Sequence, residues 1–181
     1  MGNIKIRKYN VSDYNRVVEI FKVTSITPFF SHKTLLYGFC MYYIEKEPQN
    51  CFVAIDGESV VGYILCAENS KHWAETFQNE YINNAKSLLL RQFYKSIMVY
   101  PLKHFDRYPA HLHINVAPDY QRHGIGKMLM DTLISSLKEK GINGLMLSVD
   151  RNNTKGKNFY NKYGFKVLDK TIFEIVMGID I

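Results

Sequence analysis

The stretch AHLHINVAPDYQRHGIGK, residues 110–127, decides the reading of this chain. Its first seven residues alternate. Leu112, Ile114 and Val116 fall on one face and His111, His113 and Asn115 on the other, the period of a half-buried strand. Pro118-Asp119 supplies a turn. From Gly124 to Lys140 the apolar residues Ile125, Met128, Leu129, Leu133, Ile134 and Leu137 recur at helical spacing, and Gly141 ends the pattern. Gly124 and Gly126 therefore stand where a strand has turned into a helix, flanked by Arg122 and Lys127. A helix start exposes unpaired N–H groups and the positive end of the dipole, which suits a diphosphate. A tight strand-to-helix turn would need the same glycines for backbone reasons alone. Two common phosphate loops are excluded. Walker A requires glycine at 121, which is Gln, and Ser or Thr at 128, which is Met; the dinucleotide fingerprint requires glycine at 129, which is Leu.

Outward from this stretch the elements alternate. Residues 4–9 (IKIRKY) read as a strand. Ser12 and Asp13 cap a helix carrying Tyr14, Val17, Val18, Ile20 and Phe21, and Thr27-Pro28 ends it. Residues 32–46 have a second helical pattern. Cys51–Ile55 and Ser59–Cys66 are strands around Asp56-Gly57, a hairpin signal. Residues 67–109 differ: they hold the only tryptophan, Trp73, and a helical stretch from about Ala74 to Met98 that Pro101 and Pro109 close. Downstream come a strand at Leu145–Val149, a helix at Thr154–Tyr163 ended by Gly164, and strands at Phe165–Leu168 and Ile172–Ile179. This order implies an α/β fold, a central mixed sheet with helices on both faces, and a helical insertion over 67–109.

At 181 residues the chain is read as a single domain, 1–181, with 46% hydrophobic residues, enough for an ordinary core. Cys40, Cys51 and Cys66 are odd in number and sit among apolar residues, so neither a disulfide framework nor a zinc site is expected. The N-terminus has no apolar signal core and no apolar run spans a bilayer, which points to a cytoplasmic protein that does not enter membranes. The net charge of +6 favours an anionic ligand, and no nucleic-acid motif accompanies it.

Two motifs fit one family. Gln121, Gly124 and Gly126 match [R/Q]-x-x-G-x-[G/A]. Asn153, Gly156, Phe159, Tyr160, Lys162, Gly164 and Phe165 match a second signature about thirty residues on. The chain thereby resembles the GNAT superfamily of acyl-CoA-dependent N-acyltransferases, clearly so over Ala110–Leu168. The YPAHLHINVAPDYQRHGIG stretch further resembles the acetyltransferase-like domains attached to some O-GlcNAcases. The resemblance implies the GNAT fold, with a mostly antiparallel twisted sheet and the insertion between its third and fourth strands. It implies acetyl-CoA as co-substrate and no metal. The pantetheine arm would lie where strand 110–116 splays from strand 145–149, paired with backbone near Ile114, Asn115, Val116 and Ala117. The backbone of Arg122, His123, Gly124, Ile125, Gly126 and Lys127 would hold the diphosphate, beside Gln121, and Asn153 would bond the pantetheine. Lys157 is a candidate for the 3′-phosphate.

The resemblance also implies direct transfer to an amine. Negative charge develops on the thioester oxygen, where a backbone N–H can hold it, and the leaving thiolate needs a proton. Tyr160 is the expected donor, unless it is a core aromatic beside Phe159. Several family members carry a glutamate base at the position of Ala110. His111, His113 and Asp150 are the substitutes here; the histidines are otherwise ordinary strand histidines, and Asp150 a helix cap. The insertion is expected as a lid over the acceptor, with a dimer interface or a thicker core as its other uses. The acceptor is a small-molecule or peptide amine, and the protein a monomer or homodimer. A CoA-binding or protein-interaction module of the same fold is the alternative function.

Overall fold

The computed structural model describes residues 2–25 and 30–181; Thr27-Pro28 lies outside them. The chain forms β1 (Ile4–Lys8), α1 (Tyr14–Thr24), α2 (His32–Leu36), α3 (Tyr42–Lys46), β2 (Phe52–Asp56), β3 (Ser59–Ala67), α4 (Ser70–Phe77) and α5 (Leu88–Lys103). It continues through β4 (Ala110–Val116), α6 (Ile125–Glu139), β5 (Gly144–Asp150), α7 (Thr154–Tyr163), β6 (Lys166–Lys170) and β7 (Glu174–Asp180). One seven-stranded sheet runs β1-β2-β3-β4-β5-β7-β6. Only β4 and β5 pair in parallel; the other neighbours are antiparallel.

Alternation along the strands divides the core into two layers. Ala110 and Leu112 of β4 and Leu145, Leu147 and Val149 of β5 pack against Ile125, Leu129, Leu133 and Leu137 of α6. On the other face, Tyr63 and Leu65 of β3 meet α1, the α2–α3 segment and the insertion. The alternation read from residues 110–116 is therefore the observed one, and helices cover both faces.

Local signals place most boundaries. Asn10, rather than Ser12 or Asp13, opens the first helical turn, because its side chain accepts from the Ser12 N–H at 3.1 Å. Asp13 is buried and returns a bond to the Asn10 N–H, while Arg7 grips it bidentately at 2.7 Å. The expected single helix from Ala74 to Met98 is two helices, and Pro101 lies inside α5 instead of closing it. Pro101 has no N–H for the carbonyl four residues back, and α5 runs only two residues beyond it.

The insertion belongs to the core. Trp73, Phe77 and Ile82 are almost completely buried, Tyr81 and Tyr94 nearly so. The Trp73, Phe77 and Tyr81 rings stack in sequence, with centroids 5.1 and 4.9 Å apart. These aromatics thicken the layer over β3 and β4, one of the three uses expected for the insertion. A polar network ties the same end of the sheet together. Buried Glu47 accepts from Tyr42, from Asn50 and from the Glu68 N–H, and Lys140 at the end of α6 reaches Asn50 and Glu68. Trp73→Ala should cost about 3–5 kcal/mol of stability, read as a lower urea midpoint with an unchanged slope. A cost under about 1 kcal/mol would mean that the insertion is separable from the core.

Candidate active site

β4 and β5 pair only at Ala110–Leu145 and His111–Met146. Beyond that point they part, while each stays bonded to its outer neighbour. β4 follows β3 to Gly62–Val116, and β5 follows β7 to Asp150–Glu174. The main chain facing the gap follows from alternation. The Ala117 N–H bonds the Val61 carbonyl at 2.9 Å, so odd-numbered residues of β4 point to β3 and the groups of Ile114 and Val116 point into the gap. The Arg151 N–H bonds the Phe173 carbonyl at 2.8 Å, which turns the groups of Ser148 and Asp150 the same way. Ile114 and Val116 are therefore the backbone partners that the gap offers. Ala117, expected among them, spends its N–H on β3, and the Asn115 main chain also faces β3.

The gap holds a cavity of about 180 Å³ lined by Thr24 and Ser25 of the α1 end, Leu112–Asn115, Leu147–Asp150, Asn153 and Tyr160. Expected residues from three elements converge here: His113, Ile114 and Asn115 from β4, Asp150 from β5, Asn153 and Tyr160 from the α7 region. Thr24, Ser25 and Ser148 were not singled out from sequence, because only the tertiary fold brings the end of α1 over the gap.

At one end of the gap the 121–127 loop enters α6. Gly124 has φ +81° and Arg122 φ +68°, both left-handed, and a Cβ on Gly124 would meet nothing within 4 Å. The N–H groups of Ile125, Gly126 and Lys127 precede the first helical bond, Met128 N–H to the Gly124 carbonyl. Arg122 and His123 are exposed. These features fit a diphosphate: unpaired donors, open space at the glycine, and positive side chains. Four expected contacts are otherwise engaged. Gln121 donates to the Val116 carbonyl at 3.0 Å and so closes the loop. A Cβ on Gly126 would lie 3.4 Å from the Phe159 ring, so this glycine serves the approach of α6 to α7. Lys127 pairs with Asp131 at 2.6 Å, and Lys157 donates to the Arg151 carbonyl at 2.7 Å.

The two histidines of β4 differ sharply. His111 is sealed. The Ser70 hydroxyl gives its one proton to the Pro109 carbonyl at 2.9 Å, so the His111 Nδ1–H must donate to Ser70 at 2.8 Å. Its Nε2 is buried without a partner, beside Trp73. His111 does not line the cavity, which removes it as a base in this geometry. His113 does line it, between the rings of Phe21, Phe39 and Tyr63. Burial lowers His111 to about 3 and His113 to about 4, so both are neutral at pH 7.

Asn153 caps α7 by accepting from the Gly156 N–H at 2.8 Å, the capping role considered for Asp150. Asp150 instead accepts from the Asn152 N–H at 2.6 Å and lies opposite Glu174, which burial and the Asp150 charge push above its ordinary value. Burial also raises the Tyr160 phenol, keeping it protonated. Ala110, where a family glutamate would stand, is fully buried. Among the described residues no cluster of metal-ligating side chains occurs, and no helix is long and apolar enough to cross a membrane.

The chain belongs to the Acetyltransferase (GNAT) family, whose pattern matches residues 14–165. The [ribosomal protein bS18]-alanine N-acetyltransferase of Haemophilus influenzae is 43% identical over 56 residues, 31% of this chain and 38% of that protein. The chain thus matches under two fifths of the length of this relative. The spermidine N(1)-acetyltransferase of Thermoplasma acidophilum is 32% identical over 120 residues, covering 64% of this chain and 74% of that protein. The crystal structure of SsHAT superposes with a TM-score of 0.82 at 23% identity, over 98% of both chains, and shows the same fold. The particular likeness to O-GlcNAcase-attached domains gains no support from these relatives.

Two neutral histidines, His111 buried and His113 half-buried, make stability depend on pH. Below pH ~6.5 the unfolded chain takes up protons that the folded chain refuses until about 4 at His113 and about 3 at His111. Their contribution is complete above pH ~6.5 and is lost as pH falls, by up to about 1.4 kcal/mol per pH unit for each histidine. Urea midpoints should therefore fall from pH 7 to pH 5, and His111→Gln should flatten that dependence. An unchanged slope in this variant would show that His111 is hydrated in solution.

Proposed function

We propose that the protein is an acetyl-CoA-dependent N-acetyltransferase that passes the acetyl group directly to a primary amine. The observation that carries this reading is the splayed β4–β5 pair, whose open edges run from His113 and Tyr160 towards the α6 N-terminus. A pantetheine arm carries amides that can pair with Ile114 and Val116 as an added strand would. The first-turn N–H groups of α6 would take the diphosphate, with Arg122 and His123 adding positive charge.

This chain's own groups then have distinct tasks. A main-chain N–H at the open edge of β4 faces the charge that develops on the thioester oxygen. Tyr160 lies across the gap from His113. Its raised pKa makes it a hydrogen-bond donor to the departing sulfur; complete proton transfer to a thiolate of ordinary pKa, about 8.5, would run uphill. Tyr160, the expected proton donor, is therefore read as a hydrogen-bond donor. His113 is neutral and reaches the cavity from the α1 side, where an amine can enter past Asp150 and Glu174. Two carboxylates at that entrance suit a cationic acceptor. A peptide N-terminus or a polyamine has this character, and the names of the two relatives describe such amines.

A panel of alanine-initiated peptides and polyamines, assayed with acetyl-CoA by thiol release, tests the activity. Acetyl-CoA binding with no transfer to any amine would favour the module without catalysis. Tyr160→Phe should lower kcat by about 10²-fold or more while acetyl-CoA affinity stays within about twofold; unaltered kcat would remove Tyr160 from the chemistry. Gly124→Val should abolish acetyl-CoA binding, since a β-branched residue cannot adopt the left-handed φ that shapes the loop. Calorimetric titration giving wild-type affinity would move the diphosphate elsewhere.

A further inference from the structure

His113 does not stand alone on its strand face. Tyr63 on β3 is fully buried, and it pairs in register with Asn115, two residues along β4 from His113. The Asn115 carboxamide lies 2.8 Å from the Tyr63 hydroxyl and 3.0 Å from His113 Nε2. A half-turn of a carboxamide exchanges its nitrogen for its oxygen at the same partners, so the hydrogen-bond balance decides which atom faces them.

Burial holds the Tyr63 phenol far above its ordinary pKa, so it keeps one proton that needs an acceptor. Among the described residues its hydrogen-bond partner is Asn115. With the amide nitrogen turned inward, that proton has no acceptor in a place that water does not reach. With Oδ1 inward, the Tyr63 O–H and the His113 Nε2–H both donate to it, and the amide NH2 turns to the cavity that Asn115 lines. The Tyr63 hydroxyl and His113 Nε2 are then both satisfied. Nδ1 of His113 is left. It is the ring nitrogen that Asn115 does not hold, on a side chain that lines the cavity.

We propose that Tyr63 and Asn115 are positioning residues that lock His113 as its Nε2–H tautomer and turn the Nδ1 lone pair into the wedge, where it takes the proton of the attacking amine. The proposal rests on the acetyl-transfer reading above. In the step, the amine nitrogen bonds the acetyl carbon as the carbon–sulfur bond breaks, and the amine proton passes to Nδ1. The sulfur leaves as a thiolate hydrogen-bonded by Tyr160 and takes a proton from solvent as His113 gives its own up. The sum is amine plus thioester to amide plus thiol. Phe21, Phe39 and Tyr63 flank the ring, with centroids 5.6, 6.1 and 6.0 Å away.

His111 supplies an internal comparison, because Ser70 fixes it in the opposite form, Nδ1–H. Long-range ¹H–¹⁵N correlation spectra of the ¹⁵N-labelled chain at pH 7, without ligand, read both tautomers, with His111→Gln and His113→Gln giving the assignments. The expected result is protonated Nε2 at His113 and protonated Nδ1 at His111. Tyr63→Phe should give His113 a mixed tautomer and leave His111 unchanged. With the best amine from the panel it should lower kcat about tenfold while KM for acetyl-CoA stays within about twofold. A protonated Nδ1 at His113 in the wild-type chain overturns the relay, and this needs no variant to fold. An unaltered tautomer in Tyr63→Phe overturns it as well. Acetyl transfer with the wrong tautomer removes the relay alone, whereas the expected tautomer with no transfer to any amine removes the base assignment together with the proposed function.

Discussion

The parallel pairing of β4 with β5 stops after two residue pairs, and the rest of the site follows from that stop. Unpaired strand edges inside a fold are costly unless something else meets their N–H and C=O groups. Here the outer pairings hold the edges apart. β3 fixes β4 through six pairs and β7 fixes β5 through seven, so neither strand can lean across the gap without breaking a complete ladder. Gly62 tightens one side: a Cβ there would meet the Asn115 carbonyl at 3.2 Å and Val116 at 3.3 Å. The gap is thus a rigid slot with strand-like edges, suited to a ligand that carries amides at strand spacing.

The slot is polarised from end to end. At its closed end lie the Glu47–Asn50–Glu68–Lys140 network and the Trp73 stack. At its open end lie the α6 N-terminus and exposed cations. His111 and His113 show how position sets chemistry. Two residues apart on one strand face, both are held neutral by burial, yet only His113 reaches the cavity. A shared low pKa therefore does not make a shared role; the difference is what each second nitrogen faces.

Residues 110–127 were legible because two periods meet there, alternation to Val116 and helical spacing from Ile125, with glycines at the junction. Both faces of β4 and the order of elements could be read at that level, whereas the convergence of Asn153 and Tyr160 on the gap followed only from the resemblance to the family. Other features could not, because they depend on partners distant in sequence. Gln121 looks like a ligand contact until the Val116 carbonyl is found beside it. Gly126 is explained by Phe159 on another helix. Tyr63 is the one aromatic of an apolar strand, and only the β3–β4 register brings its hydroxyl to Asn115.

The insertion was the hardest element to read, and the reason is physical. Its aromatics would look the same in a lid, an interface or a core, since all three bury them. What distinguishes the core reading is the path by which α5 reaches the site. Phe93 of α5 meets the Phe39 ring edge-on at 6.2 Å, and Phe39 stacks on His113 at 6.1 Å. The π-helical turn Tyr37–Met41 between α2 and α3 carries Phe39, and α5 packs so tightly there that a Cβ on Gly38 would meet Ile97 at 3.0 Å. Because close-packed layers transmit displacement, a shift of α5 would reach the His113 ring through a single intervening side chain. The added helices therefore brace the wall of the slot from behind. The same β4 strand can then present its backbone to one substrate and a fixed imidazole to the other.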